Sequence, residues 1–145
     1  MKKSILFALV CAMLFTVVGC CACRRNQKNA KPLQGTEWHL VQFEGKDVEL
    51  PINSFNLILG QDGQIAGVGA CNRLLGQYTT TENYGINLGQ VGTTMMLCPE
   101  NEALESQFVQ MLGGVTHYDI DGDKLVLINQ GVIKAILKAL PAENK

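Results

Sequence analysis

Eight short apolar or alternating runs, each closed by turn-forming residues, divide the chain between Thr36 and Leu137, and no other feature constrains its fold as tightly. Runs of this length bounded by Gly, Asn and Asp read as strands. Thr36–Phe43 is the first, with Glu44-Gly45-Lys46 as its turn. Ser54–Leu59 and Gln64–Gly69 flank Gly60-Gln61-Asp62-Gly63, a hairpin signal because Asp-Gly tolerates positive φ. Gly76–Thr80 and Gly85–Leu88 form a weaker pair around Glu82-Asn83-Tyr84. Val115–Ile120, Lys124–Asn129 and Val132–Leu137, joined by Asp121-Gly122-Asp123 and Gln130-Gly131, read as a meander.

One stretch differs. From Glu100 to Leu112, the residues Leu104, Phe108, Met111 and Leu112 fall at i, i+4, i+7 and i+8, one face of a helix. Pro99 suits its first turn, Glu100, Glu102 and Glu105 favour the positive end of the helix dipole, and Gly113-Gly114 ends it. About eight strands with one amphipathic helix predict an α+β domain in which the helix lays its apolar stripe on a sheet face.

The first residues serve another purpose. Lys2 and Lys3 precede an apolar run of 14 residues, Ile5–Val18, and small residues lead into Cys20, the layout of an export signal. That run is too short to cross a bilayer, which takes about 20 residues. Val17-Val18-Gly19-Cys20 resembles the lipobox of bacterial lipoproteins. The resemblance implies that residues 1–19 are removed and that Cys20 becomes an acylated N-terminus carrying a diacylglyceryl thioether. The alternative is an ordinary exported protein in which Gly19-Cys20 is coincidental. Each buried methylene contributes about 0.8 kcal/mol and one chain holds only reversibly, so two or three chains on one residue anchor stably. Because Cys21 rather than Asp follows the anchor, the same resemblance favours the outer membrane over the inner one.

Residues 20–32 read as a flexible tether. Arg24, Arg25, Lys28 and Lys31 stand there without an acid or any apolar periodicity. The stretch from Cys20 to Lys31 reaches at most about 40 Å. Its cations either draw to anionic headgroups, at about 1 kcal/mol each, or simply keep the spacer soluble. From Pro32 to Lys145 there are 6 basic and 13 acidic residues, a net charge of −7. So acidic a domain argues against nucleic acid as partner, because phosphate binding needs a basic face. After cleavage 126 residues remain, enough for one domain at 33–140 with a short tail at 141–145.

Two local patterns carry a family resemblance. Gly67-Val68-Gly69-Ala70-Cys71-Asn72-Arg73-Leu74-Leu75-Gly76-Gln77-Tyr78 joins a glycine-rich strand end to Cys-Asn and then Gly-x-Tyr. Thr94-Met95-Met96-Leu97-Cys98 gives Thr-x-Met-x-Cys ahead of the helix, and Trp38 opens the first strand. Together these resemble the META domain of HslJ-like bacterial lipoproteins over about Leu33–Leu140, with Gly69, Cys71, Asn72, Gly76, Tyr78, Thr94, Met96 and Cys98 at the signature positions. The resemblance implies a strongly curved, barrel-like antiparallel sheet wrapped beside one helix. It implies a link to envelope stress and little specific chemistry. Ala70 stands where the family usually has Gly; a positive φ there would cost about 1 kcal/mol.

Cys71 and Cys98 are the only cysteines in the folded part. Outside the cytoplasm such a pair often forms a disulfide, and closing this loop would stabilise by about 3.6 kcal/mol on the chain-entropy account. A second reading keeps them reduced and buried as small apolar groups. A third reading makes Cys98 a nucleophile, since a helix start favours thiolate, with His39 or His117 as its base. Neither histidine carries a motif, and no oxyanion-hole sequence is present. No Cys-x-x-Cys and no second close ligand accompany either cysteine, so no metal site is expected. Asp119, Asp121 and Asp123 alternate but lack the glycine and distal Glu of an EF-hand, and read as solvated hairpin acids. Cys21 and Cys23 are either spare thiols or an intermolecular bridge.

Asn72 and Arg73 are the polar binding candidates. The other reading has Asn72 supporting its own turn and Arg73 pairing with a nearby acid. Trp38 and Tyr78 read as packing groups rather than a ligand platform. The expectation is therefore a non-enzymatic lipoprotein of the cell envelope without a cofactor. It is held to the membrane at Cys20 and binds an envelope protein or surface component. The alternatives are a lipid-binding or secretion-pilot-like lipoprotein with an apolar groove, and a thiol-dependent enzyme using Cys98.

Overall fold

A computed structural model describes residues 29–141. The export signal, Cys20, Cys21, Cys23, Arg24, Arg25, Lys28 and residues 142–145 lie outside them. The strands are β1 (Glu37–Phe43), β2 (Lys46–Asp47), β3 (Asn56–Leu59), β4 (Gln64–Val68), β5 (Arg73–Gln77), β6 (Thr79–Thr80), β7 (Ile86–Asn87) and β8 (Gly92–Thr93). The helix α1 (Glu102–Gly113) follows, then β9 (His117–Asp121), β10 (Lys124–Asn129) and β11 (Val132–Ala139).

One antiparallel sheet runs in the order β8-β5-β4-β3-β1-β11-β10-β9, with the short β2 paired to β1. β6 and β7 form a separate two-stranded ribbon, which touches β9 through the isolated bridge between Gly85 and His117. The sheet is thus open, with β8 and β9 at its edges, rather than closed into a barrel. In class it is the expected α+β fold, a large antiparallel sheet with one helix among the described residues.

Local sequence explains how strand faces are assigned. In β1, Trp38 and Leu40 point to the core, and strict alternation would send Gln42 after them. The register against β11 slips between Leu40 and Gln42, so Phe43 is buried instead. A second irregularity interrupts the pairing of β10 with β11 between Leu127 and Ile128. Bulges of this kind bend a strand and increase its twist, which curves the sheet around its core. That core holds Trp38, Leu57, Leu74, Leu125 and Leu137, all wholly buried.

The helix begins at Glu102, so Pro99 and Glu100 precede it rather than forming its first turn. At its other end the Gly114 N–H returns to Met111 O at 2.9 Å. Phe108 and Leu112 are fully buried, while Leu104 and Met111 are only partly so. The Phe108 ring meets Phe55 edge-on, with centroids 5.8 Å apart. Phe55 holds φ 50, a left-handed conformation that costs a bulky residue about 1–3 kcal/mol. The strain is offset by the edge-to-face contact and by the bonds of Phe55 N–H to Gly69 O and of Leu40 N–H to Phe55 O.

Two strands depart from expectation. β5 starts at Arg73, and Gly76 lies inside it opposite Ile65 instead of opening a strand. β8 is only two residues long, too short for any periodic signal. Since Phe108 joins helix to sheet, Phe108→Ala is expected to cost about 3–5 kcal/mol in urea unfolding, and Phe108→Leu markedly less.

Candidate functional site

Between β4 and β5 the chain reverses through Gly69–Asn72, closed by Gly69 N–H donating to Asn72 O at 2.7 Å. In this turn three successive backbone N–H groups, of Ala70, Cys71 and Asn72, aim at one oxygen. Glu105 Oε2 accepts them at 2.6, 3.3 and 3.3 Å. Such a nest of amides is an anion site, and here helix α1 supplies the anion. Glu105 is 6% exposed, and a carboxylate so buried is tolerated only when its oxygens are hydrogen-bonded. Its Oε1 accepts from Asn72 Nδ2 at 2.7 Å. The approach is so close that a Cβ on Gly69 would overlap the Glu105 carboxyl. Glycine is needed there for space, and its φ is not positive.

Asn72 organises the second segment. Its Oδ1 accepts from Thr94 Oγ1 at 3.0 Å and from Met96 N–H at 2.7 Å. Its Nδ2 also lies 3.3 Å from both Met96 O and Cys98 Sγ. The Arg73 N–H donates to Thr94 Oγ1, and Thr94 N–H returns to Arg73 O. A disulfide links Cys71 to Cys98 with Cα atoms 5.9 Å apart. Gly69, Cys71, Asn72, Thr94, Met96 and Cys98 therefore converge on one cluster.

Gly76 and Tyr78 stand apart from it. Tyr78 donates its hydroxyl to Gly60 O at 2.6 Å and accepts from Gln34 Nε2 at 2.8 Å, pinning the β3–β4 hairpin. Trp38 is wholly buried and donates to Leu33 O. Arg73 is exposed, and the ion pairs Lys134–Glu44 and Lys138–Asp123 do not involve it. Ala70 has no positive φ, so the substitution of Gly by Ala carries no strain of that kind.

His39 is buried in β1, with Nδ1 2.8 Å from Asn56 Oδ1 and 3.0 Å from Ser54 O. His117 is exposed beside Thr116. Among the described residues, no group of three His, Cys, Asp or Glu is placed to hold a metal ion. Burial raises the Tyr118 hydroxyl above its ordinary range, with neighbouring Tyr84 and Tyr78 adding to the shift. A cleft of about 290 Å³ lies between helix and sheet, lined among others by Phe43, Gln107, Gln110, Asn129 and the Lys134–Glu44 pair.

Glu105 has a second role that sequence reasoning does not reach. It stands in the first turn, where an acid suits the helix dipole, and it also lies at i, i+3 and i+7 with Phe108 and Leu112 on the buried face. A charged residue on the apolar stripe was the available signal.

The META domain pattern matches residues 31–139, and the chain belongs to the META domain family. Similar solved structures include one from Burkholderia xenovorans determined by NMR. It is 20% identical, covers 74% of this chain and 83% of its own, and has a TM-score of 0.58. Another is the crystal structure of a DUF4847 family protein from Bacteroides vulgatus ATCC 8482, 18% identical, covering 77% and 96%, with a TM-score of 0.56. A third, also from NMR, is 23% identical, covers 72% and 89%, and has a TM-score of 0.57. At these identities the likeness is one of fold. No curated protein matches the chain.

The cluster predicts its own fragility. Glu105→Gln keeps the shape but replaces an anion facing three amides, and is expected to cost about 2 kcal/mol in chemical unfolding at neutral pH. Gly69→Ala should destabilise for a different reason, by displacing that carboxyl.

Proposed function

We propose that the protein is a lipid-anchored lipoprotein of the cell envelope whose META domain is a binding module rather than an enzyme. One observation carries this reading: the polar signature groups are consumed inside the fold. The Asn72 amide and the Glu105 carboxylate engage each other and the surrounding backbone, leaving neither directed at a substrate. The Cys98 sulfur is bonded to Cys71, and a disulfide sulfur is not a thiolate nucleophile. A disulfide also fits an oxidising compartment, in keeping with the export signal and Cys20. Anchored there, the domain meets envelope proteins or surface components, its acidity disfavouring nucleic acid.

The lipid-binding alternative needs an apolar cavity. Trp38, Phe55, Phe108 and the buried leucines fill the interior, which weighs against a bound acyl chain.

Mass spectrometry of the N-terminal peptide from protein made in a bacterial host tests the anchor. The expected result is a chain beginning at Cys20 with diacylglycerol on its sulfur, and a Cys20→Ala chain that is unacylated and still begins at Met1. An unmodified wild-type N-terminus would overturn the lipoprotein reading. Turnover of an ester, peptide or disulfide substrate that Cys98→Ala abolishes would overturn the non-enzymatic one.

A further inference from the structure

The segment after β8 exposes three consecutive apolar side chains. Met95 is 101% exposed, Met96 61% and Leu97 95%. Isolated exposed apolar residues are ordinary, but a contiguous group held in one conformation marks an interaction site. This group is held on both sides and in its middle. Thr94 is bonded to Arg73 and Asn72, Met96 is bonded through its backbone to Asn72, and Cys98 is joined to Cys71. The buried cluster therefore fixes a knob whose side chains touch solvent. Burying such side chains favours association, and because the backbone is already ordered, docking costs side-chain freedom but little backbone freedom. Methionine adapts its shape to an irregular groove.

Registers show which way the knob faces. Lys31, where the tether ends, donates to Gly122 O in the β9–β10 turn. Through Lys124↔Lys138, Trp38↔Ala139, Glu37↔Ile58 and Leu59↔Ile65, that turn shares an end of the sheet with the Gly60–Gly63 hairpin. Thr94 follows Thr93, which pairs Leu74, and it sits beside Arg73 and Val68 at the opposite end. The tether thus enters at one end and the knob projects from the other. Glu100 and Glu102, both exposed, lie three and five residues after Leu97. An anionic bilayer surface repels such flanks, whereas a protein groove with a basic rim attracts them.

We infer that Met95-Met96-Leu97 is a preformed docking knob for an envelope protein that offers an apolar groove rimmed by basic residues. This rests on the lipoprotein reading above for its setting. The test is oxidation of Met95 by dilute peroxide, read site by site by mass spectrometry on the full acylated chain. Rates are compared in intact cells, in phosphatidylcholine vesicles, and in vesicles of phosphatidylethanolamine and phosphatidylglycerol. The expected result is equal oxidation in both vesicle types and oxidation about fivefold slower in cells. Leu97→Asp should abolish that protection, and Glu100→Lys should weaken it about threefold, neither changing the rate in vesicles. Equal rates in cells and vesicles would overturn the proposal, as would protection in cells that survives Leu97→Asp. Protection in the anionic vesicles would make the membrane the occupant, and protection rising with protein density on vesicles would make it a second copy. Either outcome also overturns it. The same digests report acylation of Cys20, so failure of the anchor is seen separately from failure of the knob.

Discussion

A carboxylate buried against three backbone amides holds this domain in register. Glu105 leaves the helix on its apolar side and enters the turn between two central strands. Without it, three N–H groups in a half-buried turn would lack an acceptor, and a buried turn cannot leave such groups unpaired cheaply. Because the acceptor sits on α1, satisfying the turn also sets the position of the helix over the sheet. Phe108 and Leu112, further along the same face, then bring the apolar contribution. The polar contact decides where the helix lies, and the apolar contacts decide how firmly.

The same turn governs the chain before the helix. Asn72 takes its place between Glu105 and the 94–98 segment, giving its amide N–H to one and its carbonyl to the other. Two stretches far apart in sequence are thereby aligned, and the disulfide makes that alignment covalent. Family signatures need not report chemistry performed on a substrate. Here six of the eight signature positions meet at a single junction, and Tyr78 secures a hairpin elsewhere.

Much of this was legible in the sequence, and unevenly so. The meander of β9, β10 and β11 emerged because long alternating runs there are bounded by Gly122 and Gly131, both at positive φ. β1 was legible in extent but not in its bulge, since a register slip answers to tertiary curvature and not to local alternation. β5 was misplaced because Gly76 resembles a turn residue when its neighbours in space are unknown. The place of Glu105 at the helix start was legible, whereas the nest of amides that receives it becomes visible only once the turn is folded. The cysteines and Asn72 were singled out by resemblance, and their common purpose came from geometry.

The disulfide also determines how the domain bears load. A pull on residues 95–97 would, through the backbone alone, peel away β8, an edge strand of two residues. The Cys71–Cys98 bond gives that force a second, covalent path to the turn between β4 and β5. Tension at residues 95–97 is thereby shared between an edge strand and a turn two strands wide.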